Sequence, residues 1–252
     1  VQQIPHFFSD IDELWLIARR KDRLEEIARE EKNKFPNIRF IILPADLAKE
    51  EDLKKVEEFI KEKKPNIRLL INNAGFGKFG KFADVPLEQF KEMINVNINA
   101  VLHLSHICLP SMQEGSTIIQ VASAAAYIPL PYNSVYAATK AFVLSFSASL
   151  ASEVLKKGIH VMALCPGPVK TEFFSRFYGR EVVSHSSSHK DPDDVVKCAL
   201  KDAVKKRWVS IPGKRIKLAV LLSHILPNKL LLKLMAVRSR RNGESLAGKN
   251  VP

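Results

Sequence analysis

Short apolar runs rich in β-branched residues alternate with longer amphipathic stretches along almost the whole chain, and this alternation constrains the fold more than any other feature. The apolar runs predict strands over Glu13–Ala18, Ile38–Leu43, Leu69–Ile71, Thr117–Val121, Ile159–Leu164 and Trp208–Ile211. Between them the amphipathic stretches predict helices over Lys21–Lys34, Lys49–Glu62, Leu87–Leu109, Ser134–Lys156 and Pro192–Lys205. Asp191-Pro192 supplies a start signal for the last of these, and Gly158 a stop for the Ser134 helix. A strand followed each time by a helix gives an α/β fold, a doubly wound parallel sheet with helices on both faces. At 252 residues, with no internal repeat or linker, the chain reads as one domain over 1–252.

The C-terminal part, 212–252, differs in kind and reads as a substrate flap followed by a basic tail. Lys217–Val237 is rich in Leu and Ile but is interrupted by Pro227, Lys229 and Lys233, which argues against a membrane span. Lys214, Arg215, Lys217, Arg238, Arg240 and Arg241 bracket its apolar part, so an interfacial helix giving peripheral membrane contact is one reading. An apolar flap packed over a substrate pocket is the reading preferred here.

Tyr136 and Lys140 lie four residues apart in a helical stretch, so phenol and ammonium share one face. A free phenol loses its proton near pH 10, and a nearby cation favours the phenolate, which would bring the group toward its working pH. Ser123 follows the buried strand run and so puts its hydroxyl at a strand's C-terminal end, the edge where open α/β sheets bind ligands. The three groups can perform acid chemistry on a carbonyl. Without that context, Tyr-x-x-x-Lys is a solvated helix pair and Ser123 a turn residue.

Lys and Arg number 39 against 27 acidic residues, a net charge of +12, which fits nucleic acid, a membrane surface or phosphate-bearing ligands. No nucleic-acid-binding motif and no aromatic residues interleaved with the basic runs accompany this charge. A phosphorylated cofactor or acyl carrier accounts for part of the excess and solvated faces for the rest. Cys108, Cys165 and Cys198 are odd in number and set in apolar surroundings, which fits reduced packing thiols in a cytoplasmic protein. The histidines lack metal-ligand spacing, and His185 and His189 flank a Ser run that reads as a loop, so no metal is expected. No signal peptide is visible, and Val1 in place of an initiator Met reads as a front that is processed or incomplete.

Four motifs in order resemble the short-chain dehydrogenase/reductase family over nearly the whole chain: Asn72-Asn73-Ala74-Gly75, Asn97 in Ile94-Asn95-Val96-Asn97, Ser123 with Tyr136-x-x-x-Lys140, and Pro166-Gly167-Pro168-Val169-Lys170-Thr171. The resemblance implies a Rossmann-like sheet and an oxidoreductase acting on a ketone, a secondary alcohol or a 3-oxoacyl group. In it Tyr136 would protonate the alkoxide, Lys140 would lower the phenol's pKa and bind the nicotinamide ribose, and Ser123 would hydrogen-bond the carbonyl oxygen. Asn97 would position a water in the proton relay to Lys140. Asn73, Ala74 and Gly75 would form a backbone shelf under the cofactor, Asp46 with Leu47 would meet its adenine, and Pro166, Gly167, Val169 and Thr171 would line its nicotinamide end. A plain turn at Asn73–Gly75 and a helix-capping Asp46 are the ordinary alternatives.

Ala18-Arg19-Arg20-Lys21 closes the run where an acidic residue would select NAD(H). Arg19, assisted by Arg20, suits a 2′-phosphate instead, so NADP(H) is favoured over NAD(H). The family's first strand and its Thr-Gly-x-x-x-Gly-x-Gly turn are absent from 1–252. Val1–Phe8 reads as the tail of the helix after that turn, which implies a longer intact protein with its sheet lacking here the first strand. Family members pair through helices like Leu87–Leu109 and Ser134–Lys156, so a homodimer or homotetramer is expected. The competing function is a non-catalytic Rossmann-fold binding or regulatory protein.

Overall fold

The computed structural model describes residues 1–173, 177 and 189–247. The Ser184–Ser188 tract with His185, the end of the tail and the side chains of Arg238, Arg240 and Arg241 lie outside the described residues. Among the described residues six parallel strands form two sheets. β1 (Glu13–Ala18) pairs with β2 (Arg39–Pro44) in register Glu13 to Arg39. β3 (Leu69–Asn72), β4 (Thr117–Val121), β5 (His160–Leu164) and β6 (Val209–Ser210) follow in that order, with Leu69 opposite Thr117 and Thr117 opposite His160. No ladder joins β1 to β3, yet both sheets feed the same apolar layers. Leu14 packs with Leu69, Ile71, Ile119 and Met162 on one face, and Trp15 and Ile17 join Leu70 on the other. The period of two along each strand puts neighbouring residues into opposite layers, as a sheet covered on both faces requires.

The helices cover both layers. α1 (Lys21–Lys34) and α2 (Glu50–Lys63) carry acidic residues in the first turn and lysines in the last, complementing the helix dipole. α2 buries Leu53, Val56 and Ile60, one face at helical spacing, each contributing about 1.5–3 kcal/mol. It packs there against α4 (Ala100–Cys108). α5 (Ser134–Val154) lays Leu150 and Val154 on Ile118 and Val161. On the opposite face α6 (Pro192–Val204) packs Val195, Ala199 and Leu200 on Ile119 and Met162, its first turn capped by Asp191, whose carboxylate accepts from Asp193 N at 3.0 Å.

The helix expected over Leu87–Leu109 is present but not uniform: α3 (Leu87–Ile94) continues through a π-helical turn at Asn95–Asn99 into α4. The turn brings Asn97 inward, where its amide bonds a neighbouring loop. Val1–Phe8, expected as a helix tail, holds a short 3-10 turn at Ile4–His6 with Pro5 inside it, tethered by buried Ile4. The C-terminal apolar stretch is two helices, α7 (Lys214–Ile225) and α8 (Asn228–Ala247), separated at Pro227.

Candidate active site

The residues singled out by sequence come from distant parts of the chain, yet they gather along the carboxyl ends of the strands. Arg19 follows β1, Asp46 follows β2, Asn73–Gly75 follow β3, Ser123 follows β4 and Pro166–Thr171 follow β5. A buried polar cluster fixes the end of β3: Asn72 Nδ2 donates to Ser105 Oγ at 3.1 Å and to Gln120 Oε1 at 2.9 Å, and Gln120 Nε2 donates to Ser105 Oγ at 2.8 Å. Asn72 is therefore part of the core, and Asn73 beyond it is exposed.

Tyr136, on the first turn of α5, is buried against Phe90, Met93 and Ala125, with the Phe173 ring 5.6 Å away and that of Phe177 at 6.3 Å. Ser123 Oγ accepts from Ala125 N at 3.1 Å, which leaves its own proton for the Tyr136 phenol oxygen. Burial pushes the Tyr136 phenol up to about 12, and the bond from Ser123 works the other way. Burial is the larger of these two influences on the phenol. Lys140 Nζ turns into the sheet and donates to Val121 O at 2.7 Å, 5.8 Å from the centroid of the Tyr136 ring. Burial lowers the Lys140 ammonium to about 8, opposed by the neighbouring Cys165. Both side chains are desolvated, and burial is the largest influence on each.

Asn97, fully buried, accepts from Phe76 N at 3.0 Å through Oδ1 and donates through Nδ2 to Phe76 O at 2.9 Å and Thr139 Oγ1 at 3.0 Å. Both of its amide protons are engaged with the protein, so its side chain clamps the loop after β3 onto α5 and has no proton left to donate to a water. Thr139, which the sequence reading passed over, completes the clamp by donating to Tyr136 O at 2.8 Å. Its position inside Tyr-x-x-x-Lys was a signal for it. Cys165, read as a packing thiol, is fully buried but also meets Tyr127, Ser123 and Lys140, and burial raises it to about 11.

At Gly75 an added Cβ would lie 3.1 Å from both Asn97 Oδ1 and Lys140 Nζ, so the missing side chain leaves a cradle beside the lysine. At Gly77 it would lie 2.8 Å from Phe177 Cδ2 and 3.0 Å from Tyr136 Cδ2. At Gly167 it would lie 2.6 Å from Ile216 Cδ1, so α7 lies directly over the loop after β5. In that loop Pro166 O accepts from Ala124 N at 2.9 Å, Val169 bridges to Lys190, and exposed Thr171 accepts from Phe173 N at 3.3 Å.

At the other end, Arg19 meets Glu92 at 3.5 Å and Arg20 meets Glu172 at 3.0 Å, both pairs well exposed and so of little strength. Asp46 Oδ1 accepts from Ala48 N at 3.2 Å in a local turn, and Leu47 is buried between α2 and α4. The site therefore brings together Ser123, Tyr136, Lys140, Asn97 and Gly75, with the two arginines at its rim. Leu47's side chain belongs to the core.

A family model described as short chain dehydrogenase matches residues 7–181. Serine 3-dehydrogenase of Rhizobium radiobacter is 35% identical over 158 residues, 62% of this chain and 61% of that protein, so the chain spans under two thirds of this relative's length. A short-chain dehydrogenase from Sphingobium yanoikuyae in complex with NADPH has a similar structure, with a TM-score of 0.74 at 28% identity over 95% of this chain and 87% of that one. The bulky-bulky ketone specific alcohol dehydrogenase from Comamonas testosteroni gives 0.70 at 27% identity, over 80% and 76% of the two chains.

Proposed function

The chain belongs to the short-chain dehydrogenase family, and from that premise we propose that it transfers hydride between NADP(H) and a ketone or secondary alcohol, a 3-oxoacyl group being one such substrate. The observation that carries the reading is the buried Tyr136 phenol, with the Ser123 hydroxyl bonded to it and Lys140 Nζ 5.8 Å from its ring centroid. In the reducing direction the phenol proton passes to the carbonyl oxygen as that oxygen becomes an alcohol, and the Ser123 hydroxyl donates to the same oxygen. Lys140 places a positive charge beneath the phenolate left behind. Bound NADPH would supply the hydride. Gly75 and Lys140 suit its nicotinamide ribose, and Asn73 and Ala74 its approach to the backbone. Pro166, Gly167, Val169 and Thr171 would flank the nicotinamide, with Asp46 toward the adenine.

The weakly paired Arg19 and Arg20 suit a 2′-phosphate, and the NADPH complex of the Sphingobium relative supports that choice. The same reading makes the protein a cytoplasmic homodimer or homotetramer. It draws on Leu87, Ile94 and Leu102, exposed along α3 and α4, and on the free thiols of Cys108, Cys165 and Cys198. The test is Tyr136→Phe, which deletes only the proton donor. Reduction of a ketone panel by NADPH should fall by about 10²–10⁴-fold with the melting curve retained, and near wild-type turnover would defeat the assignment.

A further inference from the structure

α7 and α8 are apolar on two opposite sides, and among the described residues only one side of each is covered. The inner side of α7 packs on the site: Ile216 lies over Gly167, Val220 is buried, and the His224 ring stands 5.6 Å from that of Tyr127. On its outer side Leu218, Leu221 and Ile225 form a stripe at helical spacing that is 57–70% exposed. α8 repeats the arrangement, burying Leu231 while Leu230, Leu234 and Val237 stand 44–52% exposed. A helix apolar all round ordinarily has both sides buried, and contiguous exposed apolar stripes mark interaction surfaces.

The charge around the stripes identifies the occupant. Lys214, Arg215, Lys217, Lys229 and Lys233 are all exposed beside them, and no Asp or Glu occurs from 211 to 243. A second copy docked through this face about a two-fold axis would set these cations against their own kind. An anionic lipid surface instead accepts both features, the leucines entering the acyl boundary and the lysine stems reaching up to the headgroups. Among the described residues no helix is long and apolar enough to cross a membrane, so the contact would lie in the interface plane. We propose that the outer faces of α7 and α8 are a docking surface for an anionic lipid bilayer, which would bring the flap over the site to the membrane.

The test is co-sedimentation of the full-length protein with vesicles of phosphatidylcholine alone and of phosphatidylcholine mixed with phosphatidylglycerol. Partitioning onto the mixed vesicles should be stronger by at least about tenfold and should weaken with salt. Replacing Lys214, Lys217, Lys229 and Lys233 together by Gln should abolish the preference while keeping the apolar stripes. Leu218→Glu combined with Leu221→Glu and Ile225→Glu should abolish binding with an unchanged circular-dichroism melt. Equal partitioning onto both vesicles, binding to neither, or full binding by either variant would overturn the proposal. A solution mass halved by the Leu→Glu set would assign the face to a second copy, and polyglutamate binding as tight as that of the mixed vesicles would assign it to an acidic protein.

Discussion

Lys140→Met should make the protein's stability respond to pH in a way that measures how far the site is desolvated. The wild-type ammonium is 4% exposed, donates to Val121 O at 2.7 Å, and is lowered by burial from 10.5 to about 8. Between those two values the unfolded chain holds this proton and the folded chain does not, so wild-type stability gains with rising pH across that window. Below about pH 8 both states hold it, and the folded protein carries a buried charge at a cost of about 3 kcal/mol. Methionine keeps most of the stem and has no such proton. The difference in unfolding free energy, wild type minus variant, should therefore rise by about 2–3 kcal/mol from pH 7 to pH 10. Leaving Val121 O without its donor costs the variant about 1–3 kcal/mol at every pH, which moves the offset and not the slope. Tyr136 and Cys165 titrate in both proteins and largely cancel in the difference. Urea unfolding of both proteins at pH 7 and pH 10 is the assay. A difference that stays constant within about 0.5 kcal/mol, or that falls with pH, would refute a desolvated Lys140.

Arg19→Ala should weaken NADPH binding by roughly 10–100-fold, the equivalent of one charge-assisted hydrogen bond of about 1.5–3 kcal/mol, and leave NADH binding almost unchanged. Fluorescence titration of both cofactors decides this, and equal wild-type affinities would contradict the assignment. Gly77→Ala, whose methyl would meet the Phe177 and Tyr136 rings, should lower kcat/KM about 10–100-fold through a displaced phenol while the melting temperature changes little; unaltered kinetics would show that the rings yield freely. Light scattering at micromolar concentration should give a dimer or tetramer mass, and Leu102→Glu on α4 should lower it.

The strands and most helices were legible because their causes are local. β1, α1 and β4 fall on the predicted bounds, where alternating apolar residues and complementary end charges act over a few neighbours. The ordered motifs likewise sufficed to bring Ser123, Tyr136 and Lys140 to one place, since a parallel sheet delivers every strand's C-terminal end to the same edge. The π turn at Asn95–Asn99 was not legible, because the bonds that hold its Asn97 are exchanged with Phe76, 21 residues away in the chain. Nor was the depth of the Tyr136–Lys140 pair. Spacing put a cation on the same helix face as Tyr136, but only the packed domain turned Lys140 Nζ toward Val121 O and withdrew both groups from water. Composition showed that the C-terminal helices were apolar and basic. Only packing decided which of their two apolar sides faces the site and which faces outward, because a helix apolar all round carries no sign in its sequence of which side the fold will cover.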